Sequence, residues 1–148
     1  QLELASEADA VCFGTLAQRS PYSRKTIRSF LRVTRPSCLR IFDVNLRQAY
    51  YDRNLIRENL GLANVLRLNE SELIILASLL GINGETQSLL DQLATTYGLN
   101  TIALTQAERG CIIRTDKQTI RHDGFSQERI LDTVGAGDCF SADRKSVA

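Results

Sequence analysis

The stretch D-T-V-G-A-G-D-C-F, from Asp132 to Phe140, sets a carboxylate directly behind two glycines separated by one alanine. Gly135 and Gly137 let the backbone take conformations closed to other residues and leave no side chain to block an approaching group. Where a helix opens at such a loop, its first N–H groups lack internal partners and carry the positive end of the helix dipole. That is a site for a phosphate or an oxyanion. Asp138 falls in the first turn, where the dipole keeps it ionised. An ionised carboxylate accepts a hydroxyl proton while the neighbouring amides hold the charge of a transferring phosphoryl group. The plainer reading of a bare G-x-G-D, itself a weak motif, is a tight strand-to-helix turn whose acid merely suits the dipole.

The elements that must position this loop alternate along the chain. "DAVCFG" reads as a short buried strand, and "SRKTIRSFLRV" as a helix with Ile27, Phe30 and Leu31 on one face, stopped by Pro36. "LRIFDVN" is the next strand, "RNLIRENLGL" a helix and "NVLRL" a strand. "NESELIILASLLG" and "TQSLLDQLATTYG" are helices ending at Gly81 and Gly98. "NTIALT" is a strand, and "GCIIRT", "QTIRHD" and "ERILD" suggest a hairpin and a returning strand. Strands alternating with helices predict a mostly parallel sheet in a three-layer α/β/α domain.

At 148 residues the chain is long enough for one domain with a real core. A hydrophobic share of 43% and a net charge of +1 give no basic footprint for nucleic acid or an anionic membrane. No apolar run approaches the roughly 20 residues that span a bilayer, and the acidic start "QLELASEADA" does not read as a signal peptide. A cytoplasmic protein with reduced thiols is expected. The four cysteines, Cys12, Cys38, Cys111 and Cys139, lack ligand spacing for zinc. Cys12, Cys111 and Cys139 sit among apolar residues and are expected to be small buried hydrophobes. His122, the one histidine, is expected to be a solvated loop residue.

The full string D-T-x-G-A-G-D-x-F resembles the signature of the ribokinase-like sugar kinases, the PfkB family. The resemblance implies a ribokinase-like, Rossmann-like sandwich, with Asp138 as the base that takes the sugar hydroxyl proton. It implies an anion hole from the amides of Gly135, Ala136 and Gly137, and a monovalent cation, K+ among the candidates, near Asp132. "RLNESEL" matches the family's N-x-x-E motif, in which Asn69 and Glu72 help organise magnesium and phosphates. The same pair also fits a plain capping box. "ALTQAERGCII" resembles the family's T-x-G-x-x-G nucleotide segment, with Thr105 and Gly110 in register and Ala107 where glycine is usual; a plain hairpin is the alternative. An alanine methyl there would crowd the nucleotide or forbid a positive φ. "IFDVNLRQAYY" resembles the D-x-N-x-R segment of fructokinase-like and 2-keto-3-deoxygluconate kinase-like members. There Asp43, Asn45 and Arg47 end a strand, and Asn45 and Arg47 would meet the substrate. A solvated basic loop is the competing account of Arg47.

Together with "CFGTLAQRS", these motifs point to an ATP- and magnesium-dependent kinase of fructose or a related hexose or keto-sugar. A small-molecule sugar is the expected partner, with no nucleic acid and no membrane; a homodimer stays open. The resemblance implies that residues 1–148 form one domain, the C-terminal, nucleotide-binding and catalytic portion of such a kinase. The N-terminal part, the lid strands and the C-terminal helices would then be missing, and residues 143–148 form an atypical tail. Two other readings stay open: an inactive remnant serving as a nucleotide-binding or interaction module, and a nucleoside kinase.

Overall fold

The structure is a computed structural model that describes residues 2–124 together with 139 and 140. Asp132, Gly135, Ala136, Gly137, Asp138, the whole of "ERILD" with its expected returning strand, and the 143–148 tail lie outside the described residues.

Strand β1 (Ala10–Phe13) leads through a 3-10 turn (Leu16–Gln18) into helix α2 (Pro21–Arg32), after a short helix α1 (Leu2–Glu7). Then follow β2 (Leu39–Asp43), α3 (Arg53–Leu62), β3 (Val65–Asn69), α4 (Glu70–Leu80), α5 (Thr86–Tyr97) and β4 (Thr101–Thr105). A second 3-10 turn (Ala107–Arg109) precedes the hairpin β5 (Cys111–Thr115) and β6 (Thr119–His122). The six strands form one sheet in chain order, β1 to β4 parallel and β5 and β6 antiparallel.

Local chemistry sets the helix ends. Proline at the first position of α2 costs no hydrogen bond, because that N–H would be unpaired anyway. The helix stops at Arg32, short of Pro36, so the proline excludes continuation but does not mark the last turn. Asp52 caps α3 by accepting from the Leu55 amide at 2.8 Å. Helices α4 and α5 end on Gly81 and Gly98, both left-handed, as expected from their placement. Helix α1 carries no strong sequence signal; its Ala5 is fully buried.

Parallel strands laid down in sequential order, with right-handed crossovers, must send their helices to one face of the sheet. The core agrees with this. Leu31 of α2, Ile56 and Leu60 of α3, Leu73 and Leu76 of α4, and Leu90 and Leu93 of α5 pack in one cluster. They meet Phe13, Phe42, Leu66, Leu68, Ile102, Leu104 and Ile112, which alternate along their strands and so share one face. Phe13 and Phe42 stack with ring centroids 5.5 Å apart. The opposite face carries Cys12, Ile41, Val65, Ala103 and Ile113, of which only Ile41 is buried. The described residues thus supply the sheet and one helical layer of the expected three-layer sandwich.

This layering corrects three expectations. Among the described residues β1 stands at the end of the sheet, and only its Phe13 is buried. Cys12 and Cys139 are exposed and Cys111 is half-buried, whereas the fully buried thiol is Cys38. Cys12 and Cys111 fall on the sheet face away from the described helices, because every second strand residue points there, so apolar neighbours in sequence do not imply burial. Partial burial pushes the Cys111 thiol pKa up, which keeps it protonated. His122 is exposed as expected, but it ends β6 instead of lying in a loop.

Candidate active site

Because β1 to β4 run parallel, their carboxyl ends lie along one edge of the sheet, where ligands bind in such folds. Asp43 ends β2 opposite Arg67 of β3, and the Arg67 Nη1 donates to Asp43 Oδ1 at 3.1 Å. Their side chains are 9% and 13% exposed, so the pair is largely withdrawn from water. The chain then turns sharply. The Val44 amide donates to the Arg67 carbonyl at 3.0 Å, and Asn45 takes a positive φ of 38°. Asparagine is among the few residues that tolerate this region. The Thr15 hydroxyl lies 3.1 Å from the Val44 carbonyl and 3.3 Å from that of Asn45, tying the loop after β1 to the loop after β2.

Glu72 holds the other side of that loop. Its Oε2 accepts from the Asn69 amide at 2.8 Å while Asn69 Oδ1 accepts from the Glu72 amide at 2.9 Å, a complete capping box. Its Oε1 accepts from the Leu46 amide at 3.0 Å. One buried carboxylate therefore joins the N-terminus of α4 to the D-x-N-x-R loop. The capping account of Asn69 and Glu72 is realised. It leaves each Glu72 oxygen a second lone-pair direction, since a carboxylate offers about four acceptor sites.

Thr105 ends β4 and its hydroxyl lies 3.4 Å from the Leu68 carbonyl. The next turn closes through the Gln106 amide donating to the Gly110 carbonyl at 2.8 Å. Gly110 has a φ of 90°, and a Cβ there would overlap the carbonyl oxygen of His122, so only glycine fits. Glu70 buttresses the turn, accepting from Gln106 Nε2 at 2.8 Å and pairing with Arg109. Ala107 adopts a φ of 52°, which corrects the expectation that its methyl would forbid a positive φ. The left-handed region costs an L-residue roughly 1–2 kcal/mol, partly offset in Ala107→Gly by the greater freedom of glycine in the unfolded chain. Ala107→Gly is therefore expected to stabilise the protein by about 0.5 kcal/mol in urea denaturation. A loss of about 1 kcal/mol would mean that residue 107 is not left-handed.

A cleft of about 620 Å³ opens at the ends of β1 and β2, lined by Gly14, Thr15, Arg19, Ser20, Asp43 and Asn45 among others. Asn45 thus reaches the cleft, whereas Arg47 is exposed in the following loop and does not line it. A second hollow of about 760 Å³ lies along α5, between Gly84 and Thr96, away from every expected site residue. Sequence reading passed over Thr15, Arg67 and Glu70, because each acts through a partner 29 or more positions away or across strands. Among the described residues no three His, Cys, Asp or Glu side chains gather to hold a metal. No described helix is long and apolar enough to cross a membrane.

Known proteins agree with this architecture. The uncharacterized sugar kinase PH1459 of Pyrococcus horikoshii is 27% identical over 146 residues, which are 95% of this chain and 43% of that protein. The crystal structure of a fructokinase with bound ATP from Xylella fastidiosa superposes with a TM-score of 0.81 at 20% identity, over 95% of this chain and 44% of that one. A fructokinase from Vibrio cholerae O395, with fructose, ADP and calcium ion bound, gives 0.76 at 22% identity, over 95% and 47%. The chain thus spans less than half the length of these relatives. The description pfkB family carbohydrate kinase matches residues 1–142, and with nearly the whole sequence so covered, the chain belongs to the pfkB family of carbohydrate kinases.

Proposed function

We propose that this chain carries the phosphoryl-transfer half of an ATP-dependent sugar kinase whose acceptor is fructose or a related hexose or keto-sugar. The observation that carries the reading is spatial. Three separate motifs, around Asn45, Asn69 and Thr105, fall at the carboxyl ends of β2, β3 and β4, three adjacent parallel strands. Asp138, in the glycine loop that follows in sequence, takes the proton of the sugar hydroxyl as its oxygen bonds to the γ-phosphorus. The bond to the β-phosphate oxygen breaks and ADP leaves with its electrons. The amides of Gly135, Ala136 and Gly137 face the charge spread over the transferring group.

Asn69 and Glu72 organise the phosphates. The free lone pairs of Glu72 suit water held by magnesium, which, when bound, neutralises charge between the β- and γ-phosphates. Thr105, Ala107 and Gly110 form the nucleotide-side turn, Asn45 and Arg47 meet the sugar, and Asp132 serves a monovalent cation such as K+.

The test is ADP release with magnesium and a panel of sugars and nucleosides, using this chain and a form extended to the length of its relatives. Sugar-dependent turnover of about 1–100 per second is expected of the extended form. Turnover with nucleosides alone would move the assignment to a nucleoside kinase. ATP binding with no acceptor-dependent release would leave a nucleotide-binding module.

A further inference from the structure

We infer that the cleft at the ends of β1 and β2 is a subsite for an anionic substituent, a carboxylate or a phosphate, on the acceptor sugar, with Arg19 as its partner. The inference rests on the sugar kinase reading and narrows its substrate class. The cleft, at about 620 Å³, lies within the range of roughly 300–1,000 Å³ usual for small-molecule sites. Its lining mixes apolar groups, Phe13, Leu16 and Ala17 among them, with the polar side chains of Ser20, Ser23, Asn45, Asp43 and Arg19. Those two charges are not equivalent. Asp43 is held by Arg67 at 3.1 Å, so its charge is already offset. Arg19 is exposed in the cleft, and no carboxylate among the described residues pairs with it. One and two turns further along, Arg24 and Arg28 share Glu58. Among the described residues, Arg19 is therefore the charge of the lining that has no ion-pair partner.

The backbone that presents Arg19 is fixed. Gln18, 4% exposed, donates through Nε2 to the Gly14 carbonyl at 3.0 Å and to Asn59 Oδ1 of α3 at 2.9 Å. The Thr15 hydroxyl anchors the start of the same turn to the β2 loop. Ser20 precedes α2 without capping it through its side chain, which leaves its hydroxyl available to a ligand. A guanidinium offers a planar fork of donors that matches a carboxylate or phosphate bidentately. A neutral sugar bound beside it would leave that fork without an anionic partner, whereas a carboxylate or phosphate would supply one.

The experiment compares kcat/KM of the extended kinase for a neutral hexose, the corresponding sugar acid and the corresponding sugar phosphate, with the parent, Arg19→Gln and Arg19→Lys. The anionic acceptor is expected to exceed the neutral one at least tenfold, and the better of acid and phosphate identifies the substituent. Arg19→Gln should lower the ratio of anionic to neutral kcat/KM by about tenfold to a hundredfold, the range of a charged hydrogen bond, and Arg19→Lys should restore part of it. Thermal denaturation checks that the variants stay folded. Preference for the neutral hexose, with Arg19→Gln lowering all acceptors alike, overturns the subsite and leaves the sugar kinase reading standing. Turnover of no sugar at all overturns both.

Discussion

Asp138→Asn in the extended, active kinase is expected to lower kcat by about a hundredfold to ten-thousandfold, the usual contribution of a general base. Nucleotide affinity should change little. The carboxamide has the shape of the carboxylate and leaves the glycine loop ahead of it intact, so the amides that would face the phosphates are untouched. What it lacks is the capacity to take the hydroxyl proton. Because the loss falls on the transfer step, kcat should drop while the sugar KM stays near that of the parent. Single-turnover phosphorylation and ATP titration on the same preparation separate the two effects. Near-normal turnover would remove Asp138 from the role of base and return the motif to a strand-to-helix turn that merely tolerates an acid.

The sequence was most informative where local chemistry and periodicity agree. "RNLIRENLGL" coincides with α3 because its apolar residues recur at helical spacing behind an aspartate cap. "NESELIILASLLG" begins on a capping box and ends on a glycine, and α4 has those limits. The strands followed from short apolar runs between turn residues, and their parallel order from the intervening helices. Partners distant in sequence were not legible. Nothing in "RLNESEL" says that Glu72 also accepts from Leu46, 26 residues earlier, because that contact exists only once β2 and β3 are in register. Arg67 inside a strand reads as an outward-facing charge, yet register sets it beside Asp43. The exposure of Cys12 escaped for the reverse reason, since a run of apolar neighbours does not reveal which face of the sheet a residue takes. The same argument holds for the cleft. Nothing within "CFGTLAQRS" singles out Arg19, and its place in the cleft appears only when the ends of β1 and β2 stand side by side.

Arg67→Ala is expected to destabilise the fold by about 3–5 kcal/mol, a large share of the 5–15 kcal/mol typical of a folded protein. The cost does not come chiefly from losing an attraction. Asp43 and Arg67 are only 9% and 13% exposed, and removing the guanidinium leaves the carboxylate where water reaches it poorly. The pair itself is imperfect, because Arg67 Nε is buried with no hydrogen-bond partner among the described residues. Removing both charges in Asp43→Asn/Arg67→Met should therefore recover most of the loss, as replacing a buried pair together is often near neutral. Arg114 and Asp91 provide the contrast on the opposite face of the sheet. Asp91 is 51% exposed there, and Arg114→Ala should cost about 1 kcal/mol or less from the lost ion pair. Urea denaturation of the three single or double variants and the parent gives the comparison directly. If Arg67→Ala unfolds within 1 kcal/mol of the parent, as a surface pair would, burial does not govern this interaction and the β2 loop does not depend on the ion pair. If the loss is large and the double replacement restores it, Asp43 and Arg67 are a matched set of charges, and the cost of Arg67→Ala is that of a carboxylate left poorly hydrated.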